Sequence, residues 1–350
     1  MARRVVVLGL MLWTACGLFD GGDEPQIEAP WTIMDGAPNA VTSLAFTPGG
    51  TPIAFGSSAI SGEYYVQRPR PSDGLWERAQ GTPSGSVVGR VLRAGDRVYA
   101  LVQTAVYRLD DETSFTWTPL GNPTSADSGS IQLVTVAPDD TVYAWTSRVE
   151  TVDGVSTTAM FVLAWRPGQS GFVEVPGGEF RQGIWGAIVD GQGRLVYSTA
   201  DGFYRGDAAG VSRILDCNIP ELTYCEDQIS ALVSDAAGNL SFYNCPFVRT
   251  DRVIYRLPEG GALTKVADID DAFPYCKSLH GMPDGTLYLV AYEDNLIGAE
   301  GALYRLAPGG GALQLIAALE PHYAHVVRDR ATVFRYGDGH FAFGVGYRGL

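Results

Sequence analysis

Two stretches of the chain, VIYRLPEGGALTKVADI from Val253 and ALYRLAPGGGALQLIAAL from Ala302, are nearly the same text. The Tyr–Arg pair, the Gly-rich turn and the apolar run keep their order. A repeat of this length implies one supersecondary unit used several times. Such a unit cannot bury its apolar face alone and must stack on copies of itself.

The unit recurs further back. A turn followed by a strand carrying an aromatic residue appears as TPGGTPIAF, RAGDRVYAL, APDDTVYAW, DGQGRLVYS, DAAGNLSFY, MPDGTLYLV and YGDGHFAFG. These begin at Thr47, Arg93, Ala137, Asp190, Asp235, Met282 and Tyr336. A short apolar run precedes each turn (SLAF, GRVL, LVTV, GAIV, ALVS, SLHG, TVFR), and a second aromatic strand follows, such as VYRLDD, GFYRGD or IYRLPE. Six units continue into a fourth run, from LWERAQG at the first to LQLIAAL at the sixth. Each run has strand length, and aromatic and β-branched residues suit a pleated, half-buried surface. The seventh unit lacks its fourth run, while WTIMDGAP at Trp31 matches WERAQGTP at Trp76 in the spacing of Trp, Gly and Pro.

This arrangement resembles a β-propeller built of four-stranded meanders. The expected fold is all-β: a seven-bladed β-propeller over residues 31–350, its last blade closed by the N-terminal strand. Closure of that kind would remove an open sheet edge. PDGTLYLV and ALYRLAP further resemble the NHL and two-component-regulator types of propeller repeat, a likeness that implies fold and not ligand.

The N-terminus reads MARRVVVLGLMLWTAC. Arg3 and Arg4 precede an apolar stretch, Val5 to Ala15, too short to span a bilayer and suited to a signal-peptide core. Ala15 before Cys16 resembles a bacterial lipobox, although Trp13 stands where Leu is usual. This predicts a lipoprotein signal peptide over 1–15, lipidation at Cys16 and a flexible Gly/Asp/Pro-rich tether over 16–30. The expected location is the bacterial cell envelope, anchored to the outer membrane. Without residues 1–15 the chain carries 23 basic and 39 acidic side chains, a formal net charge of −16. That excess argues against nucleic acid as a partner and leaves the N-terminal lipid as the sole membrane contact. The chain is expected to be a monomer without a cofactor.

In such a meander the first–second and third–fourth turns share one face, and the other connections share the opposite face. The first set is short and rich in Gly and Asp, which serves turn geometry. The second set is long and varied: SRVETVDGVSTT from Ser147, CNIPELTYCEDQ from Cys217, NCPFVRTD from Asn244, YEDNLIGAEG from Tyr292 and EPHYAHVVRDR from Glu320. Function tends to sit on loops held by a rigid scaffold. The candidate binding residues on this face are Phe247, Phe273, Tyr275, Tyr292, His322, Tyr323 and His325, and the partner is a protein or a glycan.

Cys217, Cys225, Cys245 and Cys276 fall on the same face, and in an oxidising compartment they read as two disulfides. Three connectivities are open, with Cys217–Cys225 and Cys245–Cys276 favoured; zinc is the sharper alternative, but no CxxC spacing exists. His322 and His325 could ligate a metal or serve as acid and base, or be solvated loop side chains. His280 lies on a first strand, where it lines the channel or packs. Arg90 and Arg335 are the other exceptions among these mostly apolar strands. Asp268, Asp270 and Asp271 form an acidic loop that could hold Ca²⁺ weakly, with a solvated turn as the favoured reading. No catalytic set can be assigned. The expected function is therefore an envelope-tethered binding or scaffold module, with a propeller hydrolase or lyase at the channel mouth as the alternative.

Overall fold

The computed structural model describes residues 40–344 apart from connecting segments, the longest being 83–88, 122–131, 223–230, 245–252, 293–300 and 320–331. Six four-stranded antiparallel sheets follow one another along the chain. The first holds Ala40–Phe46 (β1), Pro52–Ser57 (β2), Tyr64–Pro69 (β3) and Trp76–Arg78 (β4). The second holds Gly89–Ala94 (β5), Arg97–Val102 (β6), Ala105–Asp111 (β7) and Thr116–Gly121 (β8). The third holds Gln132–Val136 (β9), Val142–Val152 (β10), Val155–Trp165 (β11) and Val173–Phe180 (β12). The fourth holds Gly186–Val189 (β13), Leu195–Ser198 (β14), Gly202–Asp207 (β15) and Gly210–Asp216 (β16). The fifth holds Leu232–Ser234 (β17), Leu240–Asn244 (β18), Val253–Leu257 (β19) and Thr264–Asp268 (β20). The sixth holds Tyr275–Gly281 (β21), Leu287–Tyr292 (β22), Gly301–Leu306 (β23) and Gln314–Leu319 (β24). Thr332–Tyr336 (β25) and His340–Gly344 (β26) then form a two-stranded sheet.

The fold is a β-propeller, and the expected count is corrected. Among the described residues six blades are four-stranded, not seven, and none is closed by the N-terminal strand. The first strands touch in chain order from β1 to β21, and β25 touches both β21 and β1. The β25–β26 hairpin thus occupies the gap between the sixth blade and the first. The segment at Trp31 and the run GYRGL lie outside the described residues, as do the signal peptide and the tether. The physical reason for the miscount is that a repeated motif marks where strands can form. It does not fix which strands pair when no turn joins them to set the register.

The core lies between blades rather than within them. Ile53, Phe55 and Val66 of the first blade pack with Val98, Ala100 and Trp117 of the second. Tyr143 and Val162 of the third meet Leu195 and Tyr197 of the fourth, and Phe203 of the fourth meets Phe242 of the fifth at 4.5 Å between ring centroids. The aromatic residue of the first five turn-and-strand motifs is the plug: Phe55, Tyr99, Tyr143, Tyr197 and Tyr243 are among the largest fully buried side chains. Alternation along a strand sends these rings to a face covered by a neighbouring blade.

An Arg on the third strand ties the first, second, fourth and fifth blades each to the next. Arg108 on β7 donates to Asp140 Oδ2 at 2.6 Å, in the first turn of the third blade. Arg205 on β15 donates to the Gly238 carbonyl at 2.6 Å, and Arg256 on β19 to the Gly285 carbonyl at 2.8 Å. Arg68 on β3 reaches the Glu112 and Thr113 carbonyls and lies 4.4 Å from the Phe115 ring centroid. A fork of fixed donors suits turn carbonyls that would otherwise lose water between blades.

Candidate functional site

The meander puts the two sets of connections at opposite ends of the channel, as the sequence predicts. At the short-turn end the carboxylates hold the backbone. Asp190, whose side chain is fully buried, accepts from the backbone N–H groups of Gln192 and Arg194 and from the Arg194 side chain, and it pairs with Arg205 at 3.3 Å. Glu259 from the fifth blade pairs with Arg194 and Arg205 and completes the network. Asp235 caps its own turn through the N–H groups of Ala237 and Asn239. Burial opposes ionisation of Asp140, but hydrogen bonds from Tyr99 and Arg97 outweigh it and hold this carboxyl below its ordinary range. Gly191 sits so close to the fifth blade that a Cβ would collide with the Asp235 carbonyl.

At the long-loop end, Phe247, Phe273, His322, Tyr323 and His325 lie outside the described residues, as do Cys16, Cys225 and Cys245. Tyr275 and Tyr292 are brought together. They open β21 and end β22 as facing partners in the ladder, with Cys276 opposite Ala291 next to them. Cys217 is buried and disulfide-bonded. Asp268 pairs with Lys265 at the surface, while Asp270 and Asp271 lie outside the described residues. No group of three or more His, Cys, Asp or Glu that could hold a metal ion occurs among the described residues.

One expected loop is a β-ribbon. The segment from Ser147 continues β10 and β11 as a hairpin paired from Val142↔Trp165 to Val152↔Val155. Between those last paired residues the sequence reads Asp-Gly, a dipeptide that suits a tight hairpin turn. Near the base Arg148 pairs with Glu174 at 3.0 Å and lies 4.2 Å from the Phe161 ring centroid. Val149 beside it is 70% exposed.

The channel holds a cavity of about 420 Å³ between the first strands of blades two, three and four. Its walls include Arg90, Leu92, Arg93, Val134, Ile188 and Asp190, and it reaches the short turns at Gly95, Pro138 and Gly191. None of the loop residues singled out from the sequence lines it. The signal for it was Arg90, a cation interrupting an apolar first strand. His280, on β21, is kept neutral at neutral pH because burial lowers its pKa to about 4.

No protein-family profile matches the chain, and no curated protein is similar to it in sequence. Its likeness is to solved structures. A catalytically inactive virginiamycin B lyase from Staphylococcus aureus, solved with quinupristin, aligns over 87% of this chain and 92% of its own at a TM-score of 0.55 and 12% identity. An oligogalacturonate lyase in complex with manganese aligns over 88% and 89%, again at 0.55 and 12%. The β-propeller domain of the Trilobed protease from Pyrococcus furiosus, described as having an open velcro topology, aligns over 79% and 84% at 0.49 and 10%. At these identities the first two similarities support the β-propeller fold and nothing finer.

Proposed function

We propose that the chain is an envelope-tethered bacterial lipoprotein whose propeller binds a protein or a glycan through its long-loop face. The observation that carries this reading is the β10–β11 ribbon, which extends that face and presents Val149 to solvent. A hairpin built beyond what the blade needs for its own pairing is a contact surface on a rigid base. The juxtaposed Tyr275 and Tyr292 stand on the same face. Tyrosines recur at binding hot spots because they give large contact area at low entropic cost. Carboxylates at the other end, Asp140, Asp190 and Asp235, are committed to turns and inter-blade contacts, which favours binding over acid–base chemistry there. Disulfides Cys217–Cys225 and Cys245–Cys276 would brace the loops, and the lipid on Cys16 would supply the anchor.

The test is capture of a partner from the native envelope on the immobilised chain. Val149→Asp, which puts a charge on the ribbon, is expected to weaken capture by about tenfold or more. Asp96→Ser in an exposed turn on the opposite face is expected to leave it unchanged. The reverse pattern would place binding on the other face. The anchor is tested alongside, since Cys16→Ser is expected to release the protein from membranes; retention by the variant would overturn the tether.

A further inference from the structure

Arg90 is a cation in an unusual position. It stands on β5 in the wall of the channel cavity, and its guanidinium donates to the Leu133 carbonyl at 2.9 Å. It makes no ion pair with a carboxylate among the described residues. Asp190, in the same wall, cannot neutralise it, because that carboxylate is already shared by two backbone N–H groups, Arg194 and Arg205. Burial lowers the pKa of Arg90 to about 10, so it stays charged at neutral pH in a place poor in water. Most of the remaining wall is apolar: Leu92, Val134, Val136, Pro138 and Ile188 contribute to it. In a chain with a net charge of −14, an Arg with no carboxylate partner among the described residues is an exception.

A buried guanidinium with unused donors is stabilised by an anion that accepts from its fork. The cavity volume falls within the range of about 300–1,000 Å³ usual for small-molecule sites. We propose that the cavity is a binding site for an amphiphilic organic monoanion, a carboxylate whose charge pairs with Arg90 and whose apolar body lies on Leu92, Val134 and Ile188. One buried cation matches one negative charge, and the apolar wall disfavours a bare, strongly hydrated ion. Arg93, half-exposed and tied to the Gly95 carbonyl at 2.7 Å and to Asp96, stands in the wall as a second, weaker source of positive charge. This site is separate from the long-loop face and does not depend on what that face binds.

The probe is 2-naphthoate, titrated into the full chain and followed by its fluorescence, with neutral 2-naphthamide and inorganic phosphate as comparisons. 2-Naphthoate is expected to bind one per chain, about tenfold or more tighter than the amide, and phosphate is expected not to displace it. Arg90→Gln is expected to abolish the preference for acid over amide while leaving partner capture by the loop face intact. The acid–amide comparison on the unaltered chain decides the matter even if that variant fails to fold. Equal affinity for acid and amide, no binding of 2-naphthoate, displacement by phosphate, or an unchanged preference in a folded Arg90→Gln would each overturn the proposal.

Discussion

Arg205 shows how much of the repeat is inter-blade adhesive. It is 8% exposed, contacts Asp190 and Glu259, and donates to the Gly238 carbonyl. Burial lowers its pKa, against the attraction of Glu259 and Asp190. The pair that precedes such contacts, an aromatic then Arg, was legible in the sequence as a repeated unit. Its role was not, because the partner belongs to the next blade and comes close only when blades stack. His280 allows a prediction at this scale. Its folded pKa of about 4 lies below the ordinary value of 6.5. The folded state therefore holds fewer protons than the unfolded state between those values, and stability is lost as pH falls through that window. The loss is at most about 3 kcal/mol and levels off below pH 4. Chemical denaturation between pH 7 and pH 4 is expected to show a steeper fall for the wild type than for His280→Gln; parallel profiles would show that this histidine does not drive it.

Among the elements, the β10–β11 ribbon departs most from expectation. The sequence reading placed its outer half among the long connections, yet Asp-Gly between β-rich runs is a hairpin signal in its own right. β9 pairs with β10 only from Val142 to Trp145, and β12 with β11 only from Met160 to Ala164. Beyond that the two strands pair with each other alone. Deleting Val149, Glu150, Thr157 and Thr158 removes two facing pairs and preserves the alternation of faces. The shortened chain is expected to melt within about 2 °C of the original, since changes at exposed sites usually cost less than about 0.5 kcal/mol. It should lose partner capture as Val149→Asp does. A large drop in melting temperature would mean that the ribbon supports the blade.

For the whole molecule, the question is what holds the ring shut. The core is shared between neighbouring blades, so a missing neighbour exposes a full apolar face. β25 touches β1 and β21 although its sheet has only two strands. A chain ending at Leu319 is expected to melt at least about 10 °C lower and to aggregate, because the faces of the first and sixth blades are then bare. An unchanged melting temperature would show that the six four-stranded blades suffice without the hairpin.

The all-β class, the four-strand unit and the segregation of long connections to one face were determined by the sequence alone. Alternation, turn residues and strand length are local properties, and a meander joined by short turns has few ways to fold. What only the tertiary structure decided depends on contacts between distant residues. The blade count turned on pairing between segments with no turn to set their register. The commitment of Asp140 and Asp190 to structural networks turned on which Arg reaches them from another strand or blade. The channel cavity turned on three first strands, from Gly89 to Val189, converging on one axis. Arg90 was visible as an anomaly in an apolar strand, but whether a carboxylate stood opposite it could be known only once the blades were in place.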